Sequence, residues 1–135
     1  MIIVLFILGF SIWYILRNMY DDKMEKDPTI QKLKTRLSGT FPELNKVKLM
    51  KGSESATINK YRIYLCTDFN GETYDTNVLT YVLLHELAHV ITPEIGHGDT
   101  FKDNFKKLLS RAVRANLYDA DTQIPVDYCG IKTDS

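Results

Sequence analysis

The chain has 135 residues, and its 17 basic and 17 acidic side chains leave no formal net charge. A balanced charge supplies neither the broad basic field of a nucleic-acid-binding protein nor an acidic tail, so no nucleic-acid partner is expected. The length and the 25% of charged residues fit one small globular domain with an appendage.

The appendage is the N-terminal apolar run at residues 2–16, IIVLFILGFSIWYIL, which contains no charge. It is slightly shorter than the roughly 18 apolar residues of a typical spanning helix, but residues 17–19 can extend it. A cleaved signal peptide needs a basic start and a small-residue cleavage site, and neither is present. A buried core helix is a second alternative, although this run is apolar all round. We therefore expect residues 1–19 to form a transmembrane anchor that contacts the membrane through residues 2–16.

Basic residues follow the apolar run, and only the amino terminus precedes it. They are Arg17, Lys23, Lys26, Lys32, Lys34 and Arg36. The positive-inside rule then predicts a single-pass protein whose C-terminal part lies on the cytoplasmic side. The polar residues 20–26 (YDDKMEK) are predicted to be a juxtamembrane linker, and residues 27–135 the folded domain.

The first half of the domain is predicted to contain one helix and a small sheet. The helix is capped by Asp27, has Pro28 in its first turn and ends at Gly39. Three short strands are expected at residues 47–50, 56–58 and 61–66. The last two form a hairpin around Asn59-Lys60, and residues 67–75 are predicted to be a loop.

The second half is dominated by two predicted helices. The first covers residues 76–92, with Asp75 or Thr76 as its cap and Pro93 as its stop. Its apolar face consists of Leu79, Leu83, Leu84, Leu87, Val90 and Ile91, and its opposite face carries His85, Glu86 and His89. The other helix is expected from about Thr100 to Tyr118, with Thr100 and Asp103 as a capping box. Its predicted buried stripe is Phe101, Phe105, Leu108, Ala112 and Val113.

Two cysteines, Cys66 and Cys129, lie too far apart in sequence for a metal knuckle or a disulfide framework. A single bridge between them is one interpretation. Two buried free thiols are the favoured one, because Cys66 ends an apolar strand pattern.

All three histidines of the chain fall within the thirteen residues HELAHVITPEIGH. His85 and His89 are one helical turn apart, so both imidazoles can bind one zinc ion. The Gly-flanked His97 follows the end of the helix and is the favoured third ligand. Glu94 and Asp99 are the alternatives for that position.

Glu86 stands beside the first histidine, where its carboxylate can take a proton from a zinc-activated water and pass it to a leaving amine. A residue that stabilises the oxyanion is harder to find. The candidates are Tyr61, Tyr64, Tyr118 and Tyr128, each of which is more simply explained as a core or surface tyrosine.

The segment HELAHVITPEIGHGDTFKDNF resembles the zincin metallopeptidases, in particular the WLM and SprT-like groups. These groups carry HExxH on an active-site helix, then a histidine, and then a helix that opens with an aromatic residue. The preceding TINKYRIYLC is similar to the zincin strand that forms a sheet edge and pairs with extended substrate. The resemblance covers about residues 44–118 and implies His85, His89 and His97 as zinc ligands and Glu86 as general base. Small metallopeptidase-like proteins of large DNA viruses also look similar, which implies a viral source.

Together, these observations predict an α+β, minimal zincin-like domain behind a transmembrane helix, with a small sheet and hairpin packed on the active-site helix. The expected function is that of a membrane-anchored zinc endopeptidase whose peptide substrate lies antiparallel to the strand near residues 61–66. The alternative is a membrane-tethered structural protein, of a virion for example, that keeps a zinc-stabilised fold without catalysis. A nucleic-acid-associated protease is disfavoured by the neutral charge.

Overall fold

The computed structural model describes residues 1–125, 127–129 and 131–132, and its architecture is α+β, as predicted. The helices are α1 Ile2–Glu25, α2 Pro28–Leu37, α3 Thr76–Ile91 and α4 Asp99–Arg114, with a short 3₁₀ helix at Pro42–Lys46. The strands are β1 Lys48–Lys51, β2 Ala56–Ile58, β3 Arg62–Leu65, β4 Asp68–Phe69, β5 Glu72–Thr73, β6 Asp127–Tyr128 and β7 Ile131–Lys132. The sequence predicts in addition that residues 124–126 lie extended along the domain, and Val126 lies outside the described residues.

α1 continues without a break to Glu25, so residues 20–25, which the sequence predicted to be a linker, are helical. The reason is a tertiary contact: Asp21 is only 1% exposed and accepts hydrogen bonds from Arg62 and Tyr64 of β3. The large apolar side chains of residues 2–16, by contrast, are 53–74% exposed. α1 is long and apolar enough to cross a bilayer, a property that it shares with signal sequences.

α2 forms at the predicted place because its N-terminus is capped. The Asp27 carboxylate accepts hydrogen bonds from the backbone N–H groups of Thr29 and Ile30, at 3.1 and 3.3 Å. The helix ends at Leu37, two residues before the predicted Gly39. Its apolar face buries Ile30 and Leu37 completely, which fixes α2 against the core.

The main sheet has three strands in the order β1–β3–β2. β2 and β3 form the predicted antiparallel hairpin, whose turn residues Asn59 and Lys60 have positive φ angles of 53° and 60°. β1 pairs with β3 in parallel, so β3 is hydrogen-bonded on both sides. The expectation that the strand at residues 61–66 is a sheet edge is therefore wrong. Among the described residues, the unpaired edge beside α3 belongs to β2.

Helices cover both faces of this sheet. Ile63 and Leu65 of β3 point into the main core with α2 and α3, and both are fully buried. Arg62 and Tyr64 point the opposite way and contact α1. Met50, the register neighbour of Tyr64, is also fully buried. The C-terminal end of α1 is thus one layer of the domain.

α3 agrees with its sequence prediction at both ends. The Asp75 carboxylate accepts a hydrogen bond from the Asn77 N–H at 2.7 Å, and the helix ends at Ile91, just before Pro93. Its apolar side is buried, and its histidine side is partly buried because α4 packs against it.

α4 differs from its prediction in three respects. The chain is already helical from Asp99, so Gly98 is the N-cap and the predicted Thr100–Asp103 capping box is not formed. The helix stops at Arg114 rather than Tyr118, because Asn116 adopts a left-handed φ of 58°. Val113, at the margin of the apolar stripe, is 42% exposed instead of buried.

The C-terminal segment returns to the end of β3. Cys66 and Cys129 form a disulfide, so the interpretation as two free thiols is wrong. Tyr128 is 6% exposed, packs on the ring of Tyr74 at 4.8 Å, and donates a hydrogen bond to the Cys66 carbonyl. The predicted loop at residues 67–75 contains the short β4–β5 hairpin. These tail contacts join residues about sixty positions apart, which no local pattern indicates.

Candidate metal centre

The last two turns of α3 carry His85 and His89 on the side that faces α4. Their ring centroids are 5.1 Å apart, as expected for residues separated by one helical turn. Both side chains are partly buried. The helix therefore presents two imidazoles to one small region of space.

The loop between α3 and α4 brings the third histidine to the same region. Pro93 ends α3, and Gly96 adopts a φ of +96°, a conformation that glycine tolerates at little cost. The Nε2 atoms of His89 and His97 are 3.1 Å apart. One ring nitrogen from each of the three histidines lies within 4.8 Å of the other two.

This arrangement fits a zinc ion. With zinc–nitrogen bonds of about 2.05 Å, the ligand nitrogens of a tetrahedral site lie roughly 3.3 Å apart, which is close to the 3.1 Å between the Nε2 atoms of His89 and His97. Three histidines leave a fourth position open, and exposed His97 provides the solvent-accessible side. Among the described residues, Glu94 and Asp99 do not join this group of potential ligands. The geometry favours the histidine over both acidic alternatives.

An aromatic wall from α4 supports the histidine rings. Phe101, which is 2% exposed, lies 4.3 Å from the His89 ring and 5.1 Å from the His85 ring between centroids. Phe105 contacts His85 edge-on at 5.2 Å. These contacts restrict the rotation of the imidazoles and exclude water from one side of the cluster. The sequence predicted both phenylalanines to be core residues, but not that they would contact the histidines.

Glu86 is buried beside the cluster with a defined set of partners. One carboxylate oxygen accepts a hydrogen bond from the Thr57 hydroxyl at 2.7 Å, and the other lies 3.5 Å from Nδ1 of His85. Burial raises the pKa of Glu86, but the hydrogen bonds from His85 and Thr57 and the charge interactions with His85 and His89 together lower it by more, so its pKa lies below the ordinary value. The carboxylate form, which a general base requires, is therefore favoured.

Thr57 was not singled out by the sequence, although a threonine in the strand preceding HExxH was a visible signal. It lies at the centre of the edge strand β2 and also contacts the Glu86 carbonyl oxygen at 3.0 Å. It connects the sheet edge directly to the candidate catalytic carboxylate.

Lys60 is the second residue that sequence reasoning underestimated, since the sequence indicated only its place in the hairpin turn. Its Nζ donates hydrogen bonds to the backbone carbonyls of Thr92 and, at 3.1 Å, His89. A third carbonyl, that of Glu94, lies at 3.5 Å. A cation at the C-terminal end of a helix satisfies unpaired carbonyl groups and interacts favourably with the helix dipole. Lys60 therefore ties the hairpin turn to the loop that leads to His97.

The four candidate tyrosines have contacts elsewhere. Tyr64 donates to Asp21, and Tyr128 donates to the Cys66 carbonyl. Tyr118 packs on Tyr81, and Tyr61 is 47% exposed. Within the part of the chain that the structure describes, none of these contacts joins a candidate tyrosine to one of the three histidines.

The fold and the site define an α+β domain with an apolar N-terminal helix and a three-histidine cluster beside a buried glutamate. The chain belongs to the family of the uncharacterized protein 136R of Invertebrate iridescent virus 6. The two are 34% identical over 126 residues, which cover 86% of this chain and 71% of the relative.

Two further viral proteins are similar to the chain. The uncharacterized protein 042R of Invertebrate iridescent virus 3 is 40% identical over 89 residues, or 64% of this chain and 56% of the relative. The uncharacterized protein R325 of Acanthamoeba polyphaga mimivirus is 35% identical over 106 residues, or 67% of this chain and 52% of the relative. The chain thus spans little more than half the length of these two relatives. No family model and no solved structure matches the chain.

These comparisons agree with the expected likeness to viral proteins. The names of the relatives state no activity, and the likeness to zincins stays a prediction. The geometry of the histidine cluster and Glu86 is therefore the basis on which a function can be inferred.

Proposed function

We propose that the chain is a zinc-dependent endopeptidase with a minimal zincin-like domain, in which His85, His89 and His97 hold the metal and Glu86 is the general base. The single observation that carries this proposal is the convergence of three histidine ring nitrogens within 4.8 Å of one another. A buried carboxylate stands next to the first of them in sequence and is fixed by hydrogen bonding.

A zinc ion in this cluster would supply Lewis acidity, which lowers the pKa of a bound water to about 7 and polarises a carbonyl group. Glu86 accepts the proton of the attacking water. The water oxygen adds to the peptide carbonyl carbon, the carbon–nitrogen bond breaks, and Glu86 passes the proton to the leaving nitrogen. Thr57 orients the carboxylate through its 2.7 Å hydrogen bond.

The edge strand β2 supports a peptide as the substrate. An extended peptide can add to an unpaired strand edge through backbone hydrogen bonds. β2 offers this edge next to α3, and its central residue Thr57 contacts Glu86. We therefore place the substrate along residues 56–58 of β2, one strand away from the position near residues 61–66 that the sequence predicted.

The exposed apolar part of α1 supports a single-pass membrane anchor. No protein surface among the described residues covers it, and so wide an exposure of apolar side chains favours a lipid environment. The basic residues that follow this part favour a cytoplasmic domain. The Cys66–Cys129 disulfide is typical of oxidising compartments and opposes that orientation. Treatment of sealed right-side-out vesicles with external protease decides between the two orientations. Protection of the domain supports the cytoplasmic side, and digestion of the domain supports the opposite side.

The non-catalytic scaffold is the second candidate, and it shares the metal site. The discriminating experiment uses the full chain in detergent and compares Glu86→Gln with the wild type and with Glu94→Gln, an exposed glutamate in the adjacent loop. Zinc content and cleavage of a mixed peptide library are measured for each. If the chain is a peptidase, all three proteins should bind zinc and only Glu86→Gln should lose cleavage. A zinc-loaded wild type that cleaves no peptide would favour the scaffold.

A further inference from the structure

α1 changes its surroundings within a single helix. Its apolar residues 2–16 are exposed, whereas Asp21 in the same helix is buried in the domain. No break in the helix separates the two parts. At a rise of 1.5 Å per residue, Asp21 lies only about 8 Å beyond Leu16 along the helix axis.

The docked part of α1 is fixed by charged contacts. The buried Asp21 carboxylate accepts hydrogen bonds from Arg62 Nη1 at 2.9 Å and from the Tyr64 hydroxyl at 3.0 Å, and Asp22 pairs with Lys48 of β1. Removing one partner of a buried ion pair leaves an uncompensated charge, which is strongly unfavourable. The helix is therefore held against the sheet rather than hinged to it.

The strand that holds α1 also leads to the candidate catalytic site. Ile63 lies between Arg62 and Tyr64 in β3, and its cross-strand partner in β2 is Thr57. Thr57 in turn holds the Glu86 carboxylate. One strand pair thus connects the membrane helix with the general base, and no flexible segment lies between them.

We propose that the site acts on extended juxtamembrane segments of proteins in the same membrane, presented at a short and fixed distance from the bilayer. This inference rests on the proposed peptidase function and names the substrate class. A hinged anchor would allow the domain to sample many distances, whereas a docked helix permits few. Tethering in one membrane also raises the effective concentration of such segments at the β2 edge.

The fixed distance between the domain and the bilayer can be tested without measuring peptide cleavage. The full chain is placed in liposomes whose lipid headgroups carry an energy-transfer acceptor, with a donor attached through Ile95→Cys, a position that is 98% exposed. A seven-residue helical insertion between Leu16 and Arg17 should move the donor about 10 Å away from the bilayer and lower the energy-transfer efficiency without broadening the distance distribution. A seven-residue Gly/Ser insertion at the same place should broaden the distance distribution. If the distance distribution of the wild type is as broad as that of the Gly/Ser variant, the anchor is not fixed and the inference is overturned.

The substrate class is tested with peptides that the zinc-loaded chain cleaves in solution, each placed behind a single-pass helix with spacers of different lengths. We expect cleavage roughly tenfold faster at short spacers than at long ones, and a shifted optimum with the helical insertion. Rates that do not depend on spacer length, together with the expected energy transfer, would overturn this inference alone. Failure to cleave any untethered peptide would overturn the peptidase function, and the inference with it.

Discussion

The Thr57 hydroxyl donates a 2.7 Å hydrogen bond to the Glu86 carboxylate, across the contact between the sheet edge and the histidine-bearing helix. This bond joins the place where an extended peptide would pair to the group that would take a proton from water. A substitution of Thr57 is therefore the most direct test of the proposed mechanism.

Replacing Thr57 with valine keeps the shape of the side chain but removes this donor. Loss of a partner that orients a site carboxylate typically costs 10- to 100-fold in activity, so we expect a loss of about this size in kcat, with zinc content unchanged. Thr73→Val, on an exposed strand, is the matched control and should behave like the wild type. Full activity of Thr57→Val would show that the bond is dispensable.

Lys60→Met removes the cation that holds the carbonyl groups after α3. The loop that leads to His97 then loses its ties to the hairpin, so we expect zinc affinity to fall by roughly tenfold. Competition with a chromophoric chelator measures this affinity without reference to cleavage. Lys60→Arg should restore most of it, and Lys102→Met, on the exposed surface of α4, should leave it unchanged. Unchanged zinc affinity in Lys60→Met would contradict the positioning role.

His97→Ala tests the third ligand. Two histidines alone hold zinc weakly, so zinc should no longer raise the melting temperature, whereas saturating zinc should raise that of the wild type. Asp99→Asn is the matched control, because Asp99 was the alternative ligand. A zinc-induced shift that survives in His97→Ala and disappears in Asp99→Asn would reverse the ligand assignment.

Reduction of the Cys66–Cys129 disulfide should destabilise the domain. The bridge closes a loop of 63 residues, for which the chain-entropy model gives about 4 kcal/mol of stabilisation. Urea unfolding of the domain with and without reductant measures the difference. The Cys66→Ser/Cys129→Ser double variant should match the reduced wild type and should not respond to reductant. An identical unfolding midpoint in both conditions would mean that the bridge does not form in solution.

Tyr128 predicts how stability changes in alkaline solution. Burial raises the pKa of its hydroxyl to about 12, above the roughly 10 of an unfolded chain. The neutral form stabilises the fold fully below pH 10, and this contribution is lost as the pH rises through the folded pKa. Unfolding free energy should therefore fall between about pH 10 and pH 12, and less steeply in Tyr128→Phe. Equal slopes for the two proteins would exclude Tyr128 as the cause.

The parts of the fold that sequence reasoning predicted correctly depend on local signals. Asp27 and Asp75 cap their helices as their positions indicated, and the Asn59-Lys60 turn forms the expected hairpin. The three histidines also converge, because a helical turn and a Gly-containing return are local geometry. Patterns that span only a few residues were sufficient for these elements.

The parts that were missed depend on contacts between distant residues. The segment around Asp21 has the composition of a linker, and its contacts with Arg62 and Tyr64, about forty positions away, make it a docked helix. The central position of β3 follows from parallel pairing with β1, which no turn signal reveals. The disulfide likewise needs the return of the tail to Cys66.

The docking of α1 also determines where the chain can be shortened. A fragment that starts at Asp27, the predicted domain boundary, would uncover Met50 and leave the Arg62 guanidinium without its carboxylate partner. A fragment that starts at Arg17 discards the apolar run but keeps these contacts. We therefore expect the shortest fragment that keeps the domain intact to start ten residues earlier than polarity alone suggests, inside the helix that carries the apolar run.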